Sequence, residues 1–215
     1  STDIIELFSD GQLVRSGDYV SLKPEFKINL NSYESITKSS DTTRYNLILN
    51  NKYIPHFVNG NPNSILKELN NNSDELSKNS KKTLVFFPEL ISGENNLKII
   101  YRNGSGSYDS TDYSVLVSDE LQIKDFYNYP NPMKGETSFI FNLLGAENPP
   151  ECKIKIYTVG GRLIKEINYN PVIGLNKIPW DGKDSDGDII ANGTYLYKLF
   201  AEDTSGKETA VQKLV

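Results

Sequence analysis

Few residues in this 215-residue chain could do covalent chemistry, because it carries one His and one Cys. A zinc site of the usual nitrogen and sulfur kind takes three or four such ligands, and a single Cys forms no internal disulfide. Cys/His or Ser/His nucleophilic catalysis would therefore run through His56 or Cys152. Cys152 opens the run Cys152-Lys153-Ile154-Lys155-Ile156, where a strand would put it on the same side as Ile154 and Ile156. A thiol among aliphatics is held neutral and inert. His56 follows Pro55 at the end of an expected strand in the other half of the chain and reads as a structural residue. The 28 Asp and Glu residues offer carboxylate pairs in principle, but nothing marks two of them as flanking a sugar cleft. The expectation is a chain with no catalytic residues.

The densest acidic motif is Trp180-Asp181-Gly182-Lys183-Asp184-Ser185-Asp186-Gly187-Asp188. Asp181, Asp184, Asp186 and Asp188 make an oxygen-rich loop, and oxygen is what calcium prefers. Ile189 stands where the helical calcium loop needs its Gly, and the distal Glu is missing. Two readings stay open: a calcium loop, and a polar hairpin between flanking strands in which Gly182, Gly187 and Gly193 supply positive φ.

The elements that must carry these residues are strands. Helical periodicity is confined to Ile65–Leu69 and Asp74–Lys78, each one or two turns at most and each equally readable as loop. The rest reads as short apolar or alternating runs between turn residues. In the first half these are Ile4–Phe8, Phe26–Leu30, Tyr45–Leu49, Tyr53–Phe57, Thr83–Phe87, Leu97–Tyr101 and Tyr113–Val117, with Asn50-Asn51 as a hairpin turn. In the second half they are Gln122–Tyr127, Ser138–Leu143, Cys152–Tyr157, Leu163–Asn168, Leu175–Trp180, Tyr195–Ala201 and Thr209–Leu214. Phe139, Phe141 and Leu143 share one face with polar residues opposite, as in a half-buried antiparallel strand. The prediction is an all-β chain of two tandem immunoglobulin-like sandwiches, residues 1–118 and 119–215, with no obvious sequence repeat between them.

Charge narrows the partners. Net charge is −5, and neither half is basic: 12 basic and 14 acidic residues up to 118, then 11 and 14. With no dense Lys/Arg stripe in the sequence, nucleic-acid binding is not expected. No apolar run approaches the length of a membrane-spanning helix. No secretory signal stands at Ser1, so the sequence reads as a mature product or an excised piece.

Three stretches together carry a family resemblance. The first is Tyr129-Pro130-Asn131-Pro132 followed by Phe139-Ile140-Phe141. The second is Ile154-Lys155-Ile156-Tyr157 followed by Gly160-Gly161-Arg162-Leu163-Ile164. The third is Trp180-Asp181-Gly182-Lys183-Asp184 with Gly187, then Asn192-Gly193-Thr194-Tyr195, closing on Gln212-Lys213-Leu214-Val215. Residues 123–215 thereby resemble the C-terminal sorting domain of type IX secretion substrates, in the variant similar to the immunoglobulin-like domain of flagellar hook-capping proteins. The first half more loosely resembles the bacterial immunoglobulin-like modules that precede such tails in gingipain-like secreted proteins, through Ile4–Phe8, Asp10-Gly11 and Gly17-Asp18-Tyr19-Val20-Ser21.

The resemblance implies transport. The partner would be outer-membrane secretion machinery, and the location would be secreted or cell-surface by way of the periplasm. The sorting signal would include the strand ending at Lys213, Leu214 and Val215, and the first half would serve as spacer or adhesion module. Alternatives are a self-assembling surface-filament subunit or hook-cap relative, which would bind other copies of itself, and an accessory module that binds protein or surface polysaccharide. No cofactor is implied beyond the calcium reading of the acidic loop.

Overall fold

The computed structural model describes residues 4–32, 45–69, 80–102 and 107–215. Its described elements are all strands. They are β1 (Ile4–Ser9), β2 (Gln12–Leu13), β3 (Phe26–Ser32), β4 (Tyr45–Leu49), β5 (Lys52–Ile54), β6 (Phe57–Val58), β7 (Asn61–Pro62), β8 (Leu66–Leu69) and β9 (Ser80–Phe86). Then come β10 (Gly93–Arg102), β11 (Tyr108–Val117), β12 (Gln122–Lys134), β13 (Glu136–Leu144), β14 (Cys152–Thr158) and β15 (Leu163–Tyr169). The last are β16 (Gly174–Trp180), β17 (Tyr195–Glu202) and β18 (Lys207–Leu214). The chain forms two compact units, one of residues 1–18 and 22–117 and the other of residues 19–21 and 118–215.

The first unit has a sheet of order β2-β1-β3-β9-β8, another of order β11-β10-β4-β5, and the small β6-β7 hairpin. All of its pairings are antiparallel. Alternation buries Tyr45 and Leu47 of β4 and Leu97 and Ile99 of β10 in one sheet, and Leu7, Phe26, Ile28, Leu84 and Phe86 in the other. Asn50 and Asn51 join β4 to β5 with φ of 48° and 64°. Both central residues lie in the left-handed region, which Asn tolerates and whose twist matches the flanking strands.

Two expectations fail here. Ile65–Leu69 does not form a helical turn: Leu66–Leu69 is strand β8, paired with β9 in the register Leu66↔Phe86. A short apolar run fits either period, and here the cross-strand partner decides it. Tyr53–Phe57 is not one strand either. Pro55, which lacks a donor, and His56 separate β5 from β6. The second helical candidate, Asp74–Lys78, lies outside the described residues.

The second unit stacks a sheet of order β12-β13-β16 on one of order β15-β14-β17-β18. Phe139, Phe141, Leu143, Ile178 and Trp180 face Cys152, Ile154, Ile156, Tyr197, Leu199 and Leu214 in one core. Phe139 stacks on Trp180 at 5.9 Å between ring centroids, and Phe126 meets Tyr197 edge to face at 4.9 Å. The strands alternate because each inward residue reaches the opposing sheet while its neighbour faces water. Gly161 (φ 88°) turns the hairpin between β14 and β15, closed by the Thr158 N–H donating to the Arg162 carbonyl at 2.9 Å.

Candidate functional site

Cys152 and His56 fall in different units of the chain. Cys152 is buried in the second unit with its neighbours Ile154 and Ile156. Burial pushes its thiol up to about 12 and Glu151 adds to the shift, so the nucleophilic thiolate is scarce at neutral pH. His56 belongs to the first unit. Its Nε2 lies 2.9 Å from the Tyr45 carbonyl oxygen, and its ring meets that of Tyr45 edge on at 4.9 Å. Cys152 is thus a core residue, and His56 is half-buried against Tyr45.

The acidic loop is closed upon itself. One Asp184 carboxylate oxygen accepts from the N–H groups of Asp186 and Asp188, each at 3.0 Å. Asp181 accepts from the Lys183 N–H at 3.2 Å, and the Trp180 indole N–H donates to the Lys183 carbonyl at 3.0 Å. These are the short side-chain-to-backbone bonds by which Asp stabilises turns. Among the described residues, no three His, Cys, Asp or Glu side chains group as ion ligands.

The hairpin expected here is not present. β16 and β17 belong to different sheets, so the loop is a crossing between them. Ser185 seals it against the edge strand β15, its N–H and hydroxyl both donating to the Ile164 carbonyl at 3.1 Å. Gly182 (φ 70°) and Gly187 (φ 92°) take the left-handed conformation, whereas Gly193 does not. A Cβ on Gly182 would stand 2.2 Å from the Gly135 carbonyl oxygen. This Gly is therefore fixed by close backbone approach as well as by φ.

The motif residues that do converge are the Pro-rich segment and the C-terminus. The Asn131 side chain works as an artificial strand neighbour. Its Nδ2 donates to the Lys213 carbonyl at 3.1 Å and its Oδ1 accepts from the Val215 N–H at 3.1 Å. The Met133 N–H donates to the Val215 carbonyl at 2.8 Å. Three hydrogen bonds thus clamp the chain end to a segment more than 80 positions earlier. Leu214, between the clamped residues, is fully buried in the core. The Tyr129-Pro130 and Asn131-Pro132 peptide bonds are both cis, and the regular β12–β13 pairing is broken between Tyr129 and Lys134.

A buried polar node holds this segment from beneath. Asn128 donates to the Pro130 carbonyl (3.2 Å) and to the Thr137 hydroxyl (3.1 Å), and it accepts from the Tyr197 hydroxyl (3.1 Å). The Thr137 hydroxyl donates to the same Pro130 carbonyl at 2.9 Å. Fully partnered buried groups of this kind fix one geometry, since leaving any of them unpaired is costly. Burial raises the Tyr197 hydroxyl above its ordinary value, so it stays protonated and able to donate. Asn128 was not singled out in the sequence; its only signal is a polar residue at an inward position of an alternating strand.

The clamp brings Pro130, Asn131 and Pro132 together with Lys213, Leu214 and Val215. Gly182 lies against Gly135, at the turn that follows the Pro-rich segment. Gly161 sits apart in the β14–β15 hairpin. Tyr195 pairs in register with Leu214 at the start of β17, and Gly193 lies in the bend leading to it.

No protein-family model matches the sequence, and no curated protein matches it. Among solved structures the chain is similar to dimeric latent PorU from Porphyromonas gingivalis, at 21% identity and a TM-score of 0.40, over 99% of this chain and 20% of that one. It is also similar to the Bacteroides ovatus mixed-linkage glucan utilization locus protein SGBP-B in complex with a mixed-linkage heptasaccharide, at 13% identity and a TM-score of 0.33, over 98% of this chain and 59% of that one. A two-domain fibronectin type III segment from chicken tenascin matches at 7% identity and a TM-score of 0.30, over 99% of each chain.

Proposed function

We propose that the chain is a non-catalytic C-terminal region of a secreted bacterial protein. Its second unit acts as a sorting and surface-attachment signal for type IX outer-membrane secretion machinery, and its first unit as a spacer or adhesion module. The observation that carries this reading is the Asn131 clamp, which joins the two ends of the family-like motif set, Tyr129–Pro132 and Lys213–Val215, into one surface. A recognition signal needs such a surface: exposed, held in one conformation, and built where no reactive group is required. Tyr129 and Val215 are exposed beside the clamp while Leu214 anchors it.

The test is a reporter protein carrying this 215-residue chain at its C-terminus, expressed in a bacterium that has the machinery and in a mutant of it that lacks the outer-membrane pore. The expected result is reporter at the surface or in the medium of the first strain and retained in the periplasm of the second. Equal export from both strains would exclude the sorting role.

A further inference from the structure

The outer face of the β15-β14-β17-β18 sheet carries a charge pattern that folding alone does not call for. In-register pairing lays side chains out in rows across it. Tyr157, Leu196 and Lys213 form one row, Lys155, Lys198 and Val211 the next, and Lys153, Phe200 and Thr209 the third. Lys155 and Lys198 stand directly opposite each other on neighbouring strands. Like charges in that position destabilise a sheet.

Part of the repulsion is absorbed. Glu166 lies 3.2 Å from the Lys155 ammonium and 4.0 Å from that of Lys153, and Glu151 lies 3.6 Å from Lys153. Lys155 rests 5.7 Å from the Phe200 ring centroid and Lys198 5.8 Å from that of Tyr157. Such contacts hold ammonium groups in place without neutralising them. Among the described residues no carboxylate pairs with Lys198 or Lys213. The middle of the face thus sets Lys198 and Lys213, which have no carboxylate partner among the described residues, beside the Glu166-paired Lys155, on a chain whose net charge is −5.

We infer that this face binds an acidic polysaccharide through Lys155, Lys198 and Lys213. The complementarity is of charge, between ammonium groups set out by strand register and carboxylates spaced along a chain. Four adjacent strands span about 14 Å, enough for an extended polymer to lie over them. Beyond Lys153 the face runs into an open cavity of about 760 Å³ where Glu147, Glu151, Glu202, Asp203 and Glu208 outnumber Lys153 and Lys207. That end repels polyanions, so the bound chain lies toward Lys213. Nucleic acid, with a charge every ~1.7 Å of duplex, would extend over the acidic rim and is disfavoured. The inference stands independently of the sorting reading.

The experiment is affinity electrophoresis of the full 215-residue chain in gels containing polygalacturonate, uncharged dextran or double-stranded DNA, with flotation on phosphatidylglycerol vesicles alongside. Polygalacturonate should retard the protein at low salt, and the retardation should vanish near ~0.5 M salt as the charges are screened. Dextran should have no effect. Lys198→Glu should weaken the retardation about tenfold. Its melting temperature should not fall, because the new carboxylate faces Lys155. Lys213→Glu, at the sheet edge, is the second variant and should weaken binding in the same sense, while Lys177→Glu on the opposite sheet should retain it. Three results would each overturn the inference: no retardation by polygalacturonate, undiminished retardation of both Lys198→Glu and Lys213→Glu, or tighter binding to DNA or vesicles than to polygalacturonate.

Discussion

The two units use the same corner in different surroundings. In the first, Asn95 is fully buried, two residues after Gly93 (φ 86°). Its side chain donates to the carbonyls of Ile91 (2.7 Å) and Gly93 (3.2 Å) and accepts from the Ile91 N–H (3.0 Å). In the second, Asn176 is fully buried, two residues after Gly174 (φ 103°). It donates to the carbonyls of Val172 (2.7 Å) and Gly174 (3.0 Å) and accepts from the Val172 N–H (3.0 Å). Each corner launches a strand, β10 in one unit and β16 in the other.

The sequences Ile91-Ser-Gly-Glu-Asn95 and Val172-Ile-Gly-Leu-Asn176 thus encode one local structure, a small internal repeat. The units part company afterwards. The first unit's final strand, β11, pairs with β10 along ten residues. The second unit's final strand, β18, is finished by a side chain, Asn131, borrowed from β12. The shared corner is architecture; among the described residues, the clamp belongs to the second unit.

If the corners are equivalent, removing either Asn side chain should do equal harm. Asn95→Ala and Asn176→Ala each delete three bonds to part-buried backbone groups and should each cost about 3 kcal/mol, with the Asn50 side-chain bond to Asn95 (2.9 Å) as a small extra at the first corner. Chemical denaturation with a probe in each unit would read this, and a large loss at one corner with none at the other would break the equivalence. The glycines should then separate the corners. A Cβ on Gly93 meets nothing within 4 Å, whereas one on Gly174 would stand 3.1 Å from the Tyr19 carbonyl oxygen. Gly93→Ala should cost about 1 kcal/mol for the left-handed backbone alone, and Gly174→Ala about 2 kcal/mol.

The clamp should show as local rather than global stability. Asn131→Ala should cost about 1 kcal/mol and should speed exchange of the Val215 amide hydrogen. An unchanged exchange rate would mean that Asn131 does not hold the strand. The smallest effect near neutral pH belongs to Cys152. Its thiol is raised from 9.0 to about 12 in the fold, so between those values the unfolded chain loses a proton that the folded chain keeps. Stability therefore falls as pH rises through that window, and this group contributes no slope below it. A thiol reagent at pH 8 should label Cys152 only after denaturation.

Much of the fold was legible because alternation is a strong signal wherever one face is buried. Phe139, Phe141 and Leu143 announced β13, and Cys152, Ile154 and Ile156 announced β14, each on the face observed. Asn50-Asn51 announced a hairpin because few residues tolerate its backbone. Leu66–Leu69 was ambiguous because its partner β9 cannot be read from four residues. The acidic loop read as a hairpin because a turn-rich segment between two strands does not say whether those strands share a sheet. The corner repeat was hidden because its signal is only a Gly and an Asn two apart, in a chain with 23 Asn. The clamp joins positions 82 and 84 residues apart through a side chain, and no periodicity encodes that. Resemblance had marked both ends of it; geometry supplied the contact between them.

The proposed sorting role rests on the clamped strand β18 being what outer-membrane secretion machinery reads. The most direct measurement is export of the reporter in machinery-positive cells, with the whole chain as its tail and with a tail lacking residues 207–215. Extracellular reporter is expected with the first and periplasmic retention with the second. Equal extracellular reporter from both would contradict it.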